Sequence, residues 1–220
     1  YTNSKGQEVS TYYTYHKRNN IPVDLKELEI TVVDDIVASV RRNVYDNSNR
    51  LIETYSGCVG MNFSSNFILP SNLLNDCIHP SINKKEYSYR YNQNGNIVQI
   101  CYNGKVLASY LWGYMGKHPI AEVLNISYDE LYIIANSHGY IDGIYSSDLE
   151  RLLNDIRSDN RLGGKEVSTF TYHWLLGIAT STDSRGIKCS YMLDDFGRLD
   201  GIKDTNGYFI KKYEYNYKGL

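Results

Sequence analysis

Three stretches of this chain follow one plan, and the plan admits few folds: Tyr45-Asp46-Asn47-Ser48-Asn49-Arg50-Leu51, Tyr91-Asn92-Gln93-Asn94-Gly95-Asn96-Ile97 and Leu193-Asp194-Asp195-Phe196-Gly197-Arg198-Leu199. In each, an aromatic or aliphatic strand end precedes an Asp or Asn whose side-chain oxygen can cap a turn. An Asn or Gly that tolerates the left-handed region follows, and an aliphatic residue begins the return strand. Each stretch predicts a β-hairpin. Upstream of the second, Tyr87-Ser88-Tyr89-Arg90-Tyr91 alternates so that its tyrosines share one face of a pleated ribbon, and Tyr213-Glu214-Tyr215-Asn216-Tyr217 repeats the arrangement. The return strands Ile97-Val98-Gln99-Ile100 and Leu199-Asp200-Gly201-Ile202 run into Asn103-Gly104 and Asn206-Gly207. Both Asn-Gly pairs are read as type I′ turns, whose two central residues need φ above zero. The result is strand, turn, strand, turn, with a period of about twenty residues. One such hairpin is marginal alone, so neighbouring units must supply the burial.

Composition agrees with ribbons that keep one side wet. The chain holds 22 Tyr against 5 Phe and 2 Trp, with 17 Gly and only 4 Pro. A tyrosine ring packs on its neighbours while its hydroxyl keeps a polar partner, which suits antiparallel hairpins better than a deep apolar core. Lys plus Arg number 23 against 25 Asp plus Glu, a formal charge of −2. No basic field exists to hold a phosphate backbone, so nucleic acid is excluded as a partner. No run of about eighteen apolar residues is present and the first residues lack an apolar core, so neither a membrane span nor a signal peptide is expected. The chain opens at Tyr1 without Met, which sets the expectation of a piece cut from something longer.

The string Tyr191-Met192-Leu193-Asp194-Asp195-Phe196-Gly197-Arg198-Leu199, followed by Asp204-Thr205-Asn206-Gly207 and Tyr213-Glu214-Tyr215, resembles the YD repeat of the Rhs family. That pattern is Tyr-Asp, two variable residues, Gly-Arg-Leu, a second glycine turn and a closing aromatic strand. Residues 110–121, with Trp112-Gly113-Tyr114 and Pro119-Ile120-Ala121, resemble a segment of Bacteroidetes-type Rhs-repeat proteins. The likeness covers residues 87–123 and 167–217 well, and residues 1–86 only through Tyr45–Leu51 and an alternating strand from Ser10 to Tyr15. The copies are degenerate: Leu193 stands where the family has Tyr, and Asn92 where it has Asp.

The resemblance implies a mainly β fold, antiparallel YD-repeat hairpins forming a curved sheet. It implies a non-enzymatic structural or display scaffold, part of the β shell of a larger secreted or cell-surface protein of Rhs type. The implied partners are adjacent YD-repeat units of the parent chain and an enclosed C-terminal toxin domain. Tyr89, Tyr91, Tyr191, Tyr213 and Tyr215 would carry packing. The alternative is a carbohydrate or surface-ligand module that binds glycans with exposed tyrosines.

Between the repeat-like blocks the period changes. Ser127-Tyr128-Asp129-Glu130 reads as a capping box, after which Tyr128, Leu131, Tyr132 and Ala135 share a helical face. A second box, Ser147-Asp148-Leu149-Glu150, precedes Leu149, Leu152, Leu153 and Ile156 at the same spacing, and Gly163-Gly164 is expected to stop that helix. The chain is thus divided into a degenerate β and irregular part (1–86), repeat-like hairpins (87–123), a two-helix insertion (124–166) and further hairpins (167–220). The helical hairpin is expected to cover a face or edge of the sheet.

Candidate chemistry is sparse. His16, His79, His118, His138 and His173 lie far apart, with no HxxxH or HExxH pair, so no metal site is assigned. Cys58 sits between glycines with no basic neighbour to activate it. Cys58, Cys77, Cys101 and Cys189 form no CxxC pair, and their disulfide state stays open. Asp34-Asp35 and Asp194-Asp195 are adjacent, and neighbours in a strand point to opposite faces, so neither converges on a sugar as a glycosidase pair must. No P-loop, GxGxxG or GxSxG string occurs. No catalytic, cofactor-binding or metal-ligating residue is assigned, and no cofactor is expected.

Overall fold

A computed structural model describes residues 1–18, 21–57, 84–145, 147–173 and 176–215. Among them are thirteen strands: β1 (Val9–Arg18), β2 (Ile21–Val33), β3 (Ile36–Tyr45), β4 (Leu51–Gly57), β5 (Lys84–Tyr91), β6 (Ile97–Tyr102), β7 (Lys105–Gly113), β8 (His118–Leu124), β9 (Val167–His173), β10 (Gly177–Thr182), β11 (Lys188–Leu193), β12 (Leu199–Lys203) and β13 (Phe209–Lys212). Two helices, α1 (Tyr128–Ser137) and α2 (Leu149–Arg157), lie between β8 and β9. Strand order in the sheet follows chain order, as hairpin connections dictate, and the fold is mainly β. The chain divides into two compact units, residues 1–90 with 100–105, and residues 91–99 with 106–220.

In the first unit, β2 buries Leu28, Ile30 and Val32 on one face, and β3 sets Val37 and Val40 opposite Val32 and Ile30. The sequence marks an alternating strand from Ser10 to Tyr15 and a hairpin at Tyr45–Leu51 here, and both are present. The strand Ile21–Val33 carries a weak sequence signal because Leu28, Ile30 and Val32 alternate among Lys26, Glu27 and Glu29, residues depleted from strands. Asp34 and Asp35 are not strand residues. With φ of 48° and 61° they form the two-residue turn between β2 and β3. Tyr87 and Tyr89 share a face as expected, their rings stacked 6.3 Å apart. Asn103 and Gly104, at φ 48° and 76°, make the predicted type I′ turn.

The second unit holds an apolar core between sheet and helices. Leu111, Ile120 and Val123 from β7 and β8, and Val167 from β9, meet Leu131, Ile134 and Ala135 of α1 and Leu149, Leu152, Leu153 and Ile156 of α2. The helices therefore cover one face of these strands. Tyr140, fully buried, completes the join. Its hydroxyl accepts from the Trp112 amide at 3.1 Å and donates to the Trp112 carbonyl at 3.0 Å, and burial holds its pKa far above the ordinary tyrosine value.

The two helix starts differ from each other. Ser127 and Glu130 form the reciprocal capping box, with Ser127 Oγ accepting from the Glu130 amide at 3.3 Å. At α2 the expected box is absent: Asp148 is the N-cap and makes no side-chain cap bond. Its ψ of 18° departs from the extended backbone that aims a capping oxygen at the first turn. The helix also ends earlier than expected, at Arg157 with Ser158 as its cap. Gly163 and Gly164 instead close a 3-10 turn at Asn160–Leu162.

Candidate functional site

The turns repeat atom for atom, and among the described residues six copies exist rather than three. At Asn3, Asp46, Asn92, Asp183, Asp194 and Asp204, the amide four residues on donates to the side-chain Oδ1, at 3.1 Å in the first and 2.9 Å in the others. In each, the backbone amide of the Asp or Asn donates to the carbonyl of that same later residue, and its carbonyl accepts from the residue three ahead. The third residue on is left-handed: Gly6, Asn49, Gly95, Gly186, Gly197 and Gly207 have φ between 62° and 84°. This is a type I turn closed by a left-handed residue, the three-residue hairpin loop, with an Asx oxygen replacing a missing backbone acceptor. Asn206-Gly207 therefore belongs to the Asp204 turn and is not a type I′ pair, since Gly207 alone of the two has positive φ. The Asn3 and Asp183 copies are harder to read from sequence because Thr2 and Thr182 precede them in place of Tyr or Leu, although Asp-Ser-Arg-Gly-Ile carries every turn-forming position.

Electrostatics reinforces three of these turns. The Arg198 guanidinium, donating at 2.8 Å, and then the turn amides hold the Asp194 carboxyl below its ordinary range. At Asp183 the Ile187 amide contributes most, followed by Arg185. At Asp46 desolvation alone would raise the pKa, but bonds from the Arg50 amide and guanidinium and the Ser48 amide outweigh it. The aspartates thus serve as acceptors locked into turns, which accounts for Asp194 as the sequence suggested.

Beyond β9 the helices no longer cover the sheet. Among the residues of β10, β11, β12 and β13, only Gly201 is buried. Phe196 is 81% exposed, Tyr208 73% and Ile210 60%, and Leu176, Ile187 and Phe209 are exposed as well. Gly201 explains one ring: a Cβ there would lie 2.6 Å from Phe209 Cε1, so the phenyl group rests on the glycine. Cations lie over several of the rings. Arg198 sits 5.0 Å from the Phe196 centroid and 4.4 Å from that of Tyr215, Lys203 lies 4.8 Å from Phe209, and Lys211 lies 4.8 Å from Tyr213. Tyr191 is half-buried, with its hydroxyl 3.3 Å from Ser181 Oγ, and Tyr215 donates to the Leu199 carbonyl at 2.9 Å. This uncovered ribbon is the candidate functional surface.

Among the described residues the groups with chemical potential do not converge. His16 packs beside the Tyr45 ring, His118 stacks on Tyr172 at 4.3 Å, His138 pairs with Asp159 at 2.8 Å, and His173 Nε2 lies 3.2 Å from the Tyr191 carbonyl. Among the described residues no three His, Cys, Asp or Glu side chains gather as a metal site. Cys101 and Cys189 are half-buried and not disulfide-bonded, while His79, Cys58, Cys77, Asn216 and Tyr217 lie outside the described residues. Asp34 Oδ1 accepts from the Glu8 amide at 2.9 Å, so this carboxylate too serves the backbone. No described helix is long and apolar enough to cross a membrane.

No family model matches the chain, and no curated protein matches it. Among solved structures it is similar to TcdB2-TccC3 without its hypervariable C-terminal region, at a TM-score of 0.47 and 13% identity over 89% of this chain. It is also similar to TcdB2-TccC3-TEV, at 0.46 and 13% over 89%, and to TcdB2-TccC3, at 0.45 and 13% over 82%. The chain spans about 8% of the length of each of those chains.

Proposed function

We propose that the chain is a non-enzymatic building element, a stretch of repeat wall in a larger secreted or cell-surface assembly of the Rhs type, whose uncovered ribbon is made to be covered by adjacent units. The observation that carries this reading is the burial contrast: four consecutive strands bury only a glycine. Hairpins without a buried face gain little from folding alone, and exposed apolar groups on this scale mark a surface with a partner. The YD-like string Tyr191–Leu199 and the Asp204 turn after it fall on the same ribbon, and its turns at Asp183, Asp194 and Asp204 are identical units, as an array needs. An enclosed C-terminal toxin domain would be a further partner of such a wall. Catalysis has no support in the scattered histidines and turn-bound carboxylates. Glycan stacking has little, because Arg198, Lys203 and Lys211 occupy ring faces that a sugar would use.

Hydroxyl-radical footprinting tests the proposal. In the protein as its native cells make it, Phe196, Tyr208 and Phe209 are expected to react several-fold more slowly than in the isolated 220-residue chain. Equal reactivity in the two would sink the scaffold reading.

A further inference from the structure

We infer that the hollow beside α1 is a binding site for a compact aliphatic carboxylate. It encloses about 300 Å³ and is lined by Ile126, Glu130, Ile133, Ile134, Arg161 and Lys165. Ile126 and Ile134 belong to the buried core and supply an apolar floor. Ile133 is the exception on its helix. It is 63% exposed, while the other exposed residues of α1 are Asp129, Glu130, Asn136 and Ser137, all polar. An amphipathic helix that needed only to cover the core would carry a polar residue there.

The polar rim decides the charge of the occupant. Its one carboxylate is tied to the helix cap: Glu130 Oε2 accepts from Ser127 Oγ at 2.7 Å and from the Ser127 amide at 3.3 Å, and this capping holds its pKa below the ordinary value. Asp159 receives Arg161, His138 and a backbone amide. The donors are in excess. Lys165 gives one bond, to the Asn125 carbonyl, and Arg161 uses Nε and Nη2 on Asp159 and Ser137, with Nη1 left over. An ammonium ligand would meet two cations, Arg161 and Lys165, against the single Glu130 carboxylate, and an uncharged alkane would leave the donors unanswered. A branched alkyl group on the isoleucines with a carboxylate toward Lys165 and Arg161 satisfies both halves. The volume, at the small end for ligand pockets, favours a ligand of about eight heavy atoms over a nucleotide.

The same chemistry could come from a free acid or from the C-terminal carboxylate of a chain ending in leucine, and the two are separable. Methyl-labelled isoleucine NMR on the whole chain would be titrated with 4-methylpentanoate, with its alcohol 4-methylpentan-1-ol, and with the tripeptide acetyl-Gly-Gly-Leu as the free acid. Saturable shifts at Ile126, Ile133 and Ile134 are expected with the acid, at a Kd on the order of 1 mM for so small a ligand. Tighter binding of the tripeptide would identify a chain end as the occupant, and weaker binding a free acid. Lys165→Met, at an exposed position, should weaken the acid about tenfold with the far-UV circular dichroism spectrum unchanged. The inference is overturned if those methyls stay still, if the alcohol binds as well as the acid, or if Lys165→Met leaves the affinity unaltered.

Discussion

Strands β7–β9 and strands β10–β13 have the same kind of pairing and opposite surroundings. The first group sends Leu111, Ile120, Val123 and Val167 into a core capped by two helices. The second turns Phe196, Tyr208 and Ile210 to water and relies on Asx turns, cation–ring contacts and backbone ladders. The difference teaches that hairpin order and hairpin burial are set separately. Local side chains such as Asp194 and Gly197 are enough to bend and register a ribbon, but only another layer gives it a core. The helical insertion is that layer for one group, and the proposal assigns the other to a neighbouring unit.

The contrast can be broken most severely from the core side. Leu111→Ala or Ile156→Ala should cost about 2–5 kcal/mol in urea unfolding, through lost transfer energy and a cavity, whereas Phe196→Ala should stay within about 0.5 kcal/mol. Similar losses at Leu111 and Phe196 would show that the ribbon has a core of its own. Next comes Gly197→Val. It forces a β-branched side chain to φ 74° and sets a Cβ 3.1 Å from Leu176 Cδ2, so its thermal midpoint should fall well below that of His173→Ala. Equal midpoints would count against the turn argument.

Arg157 sharpens the comparison at the border between the groups. Its guanidinium donates to the carbonyls of Val167, Thr182 and Asp183, tying α2 to the end of β10, and burial lowers its pKa. Arg157→Leu leaves those carbonyls without this donor, and should raise exchange rates at Ser181 and Thr182 while β7 amides stay protected, at a stability cost of about 1–3 kcal/mol. Uniformly raised exchange would mean that the two groups unfold as one.

The smallest effect is electrostatic. The carboxyls of Asp183 and Asp194 have folded pKa values below their unfolded ones, so their contribution is complete above the unfolded value near about 4 and is lost as pH falls through the lower folded values. Asp194→Asn should keep the turn, as Asn92 does in its own copy, and flatten the fall of the thermal midpoint below about pH 4. An unchanged acid slope would remove Arg198 from the account.

Much of this architecture was legible because its signals are local. Asp46, Asn92 and Asp194 announce their turns by side-chain chemistry, and the helices by spacing, down to the buried quartet Leu149, Leu152, Leu153 and Ile156. Features set by backbone context were not. Asp34 and Asp35 adopt left-handed φ without a glycine to mark them, Asp148 fails as a cap through its ψ, and Asn206-Gly207 is claimed by Asp204 four residues before Tyr208. The exposed ribbon was legible only as composition. Tyrosine-rich strands suggest a wet face, but which strands lack a second layer depends on where the helices land.

Amide hydrogen exchange on the isolated chain, read strand by strand, tests the central claim most directly. The account predicts that β10–β13 exchange at least about a hundredfold faster than β7–β9, as ladders without a buried layer should. Equal protection of the two groups would contradict it.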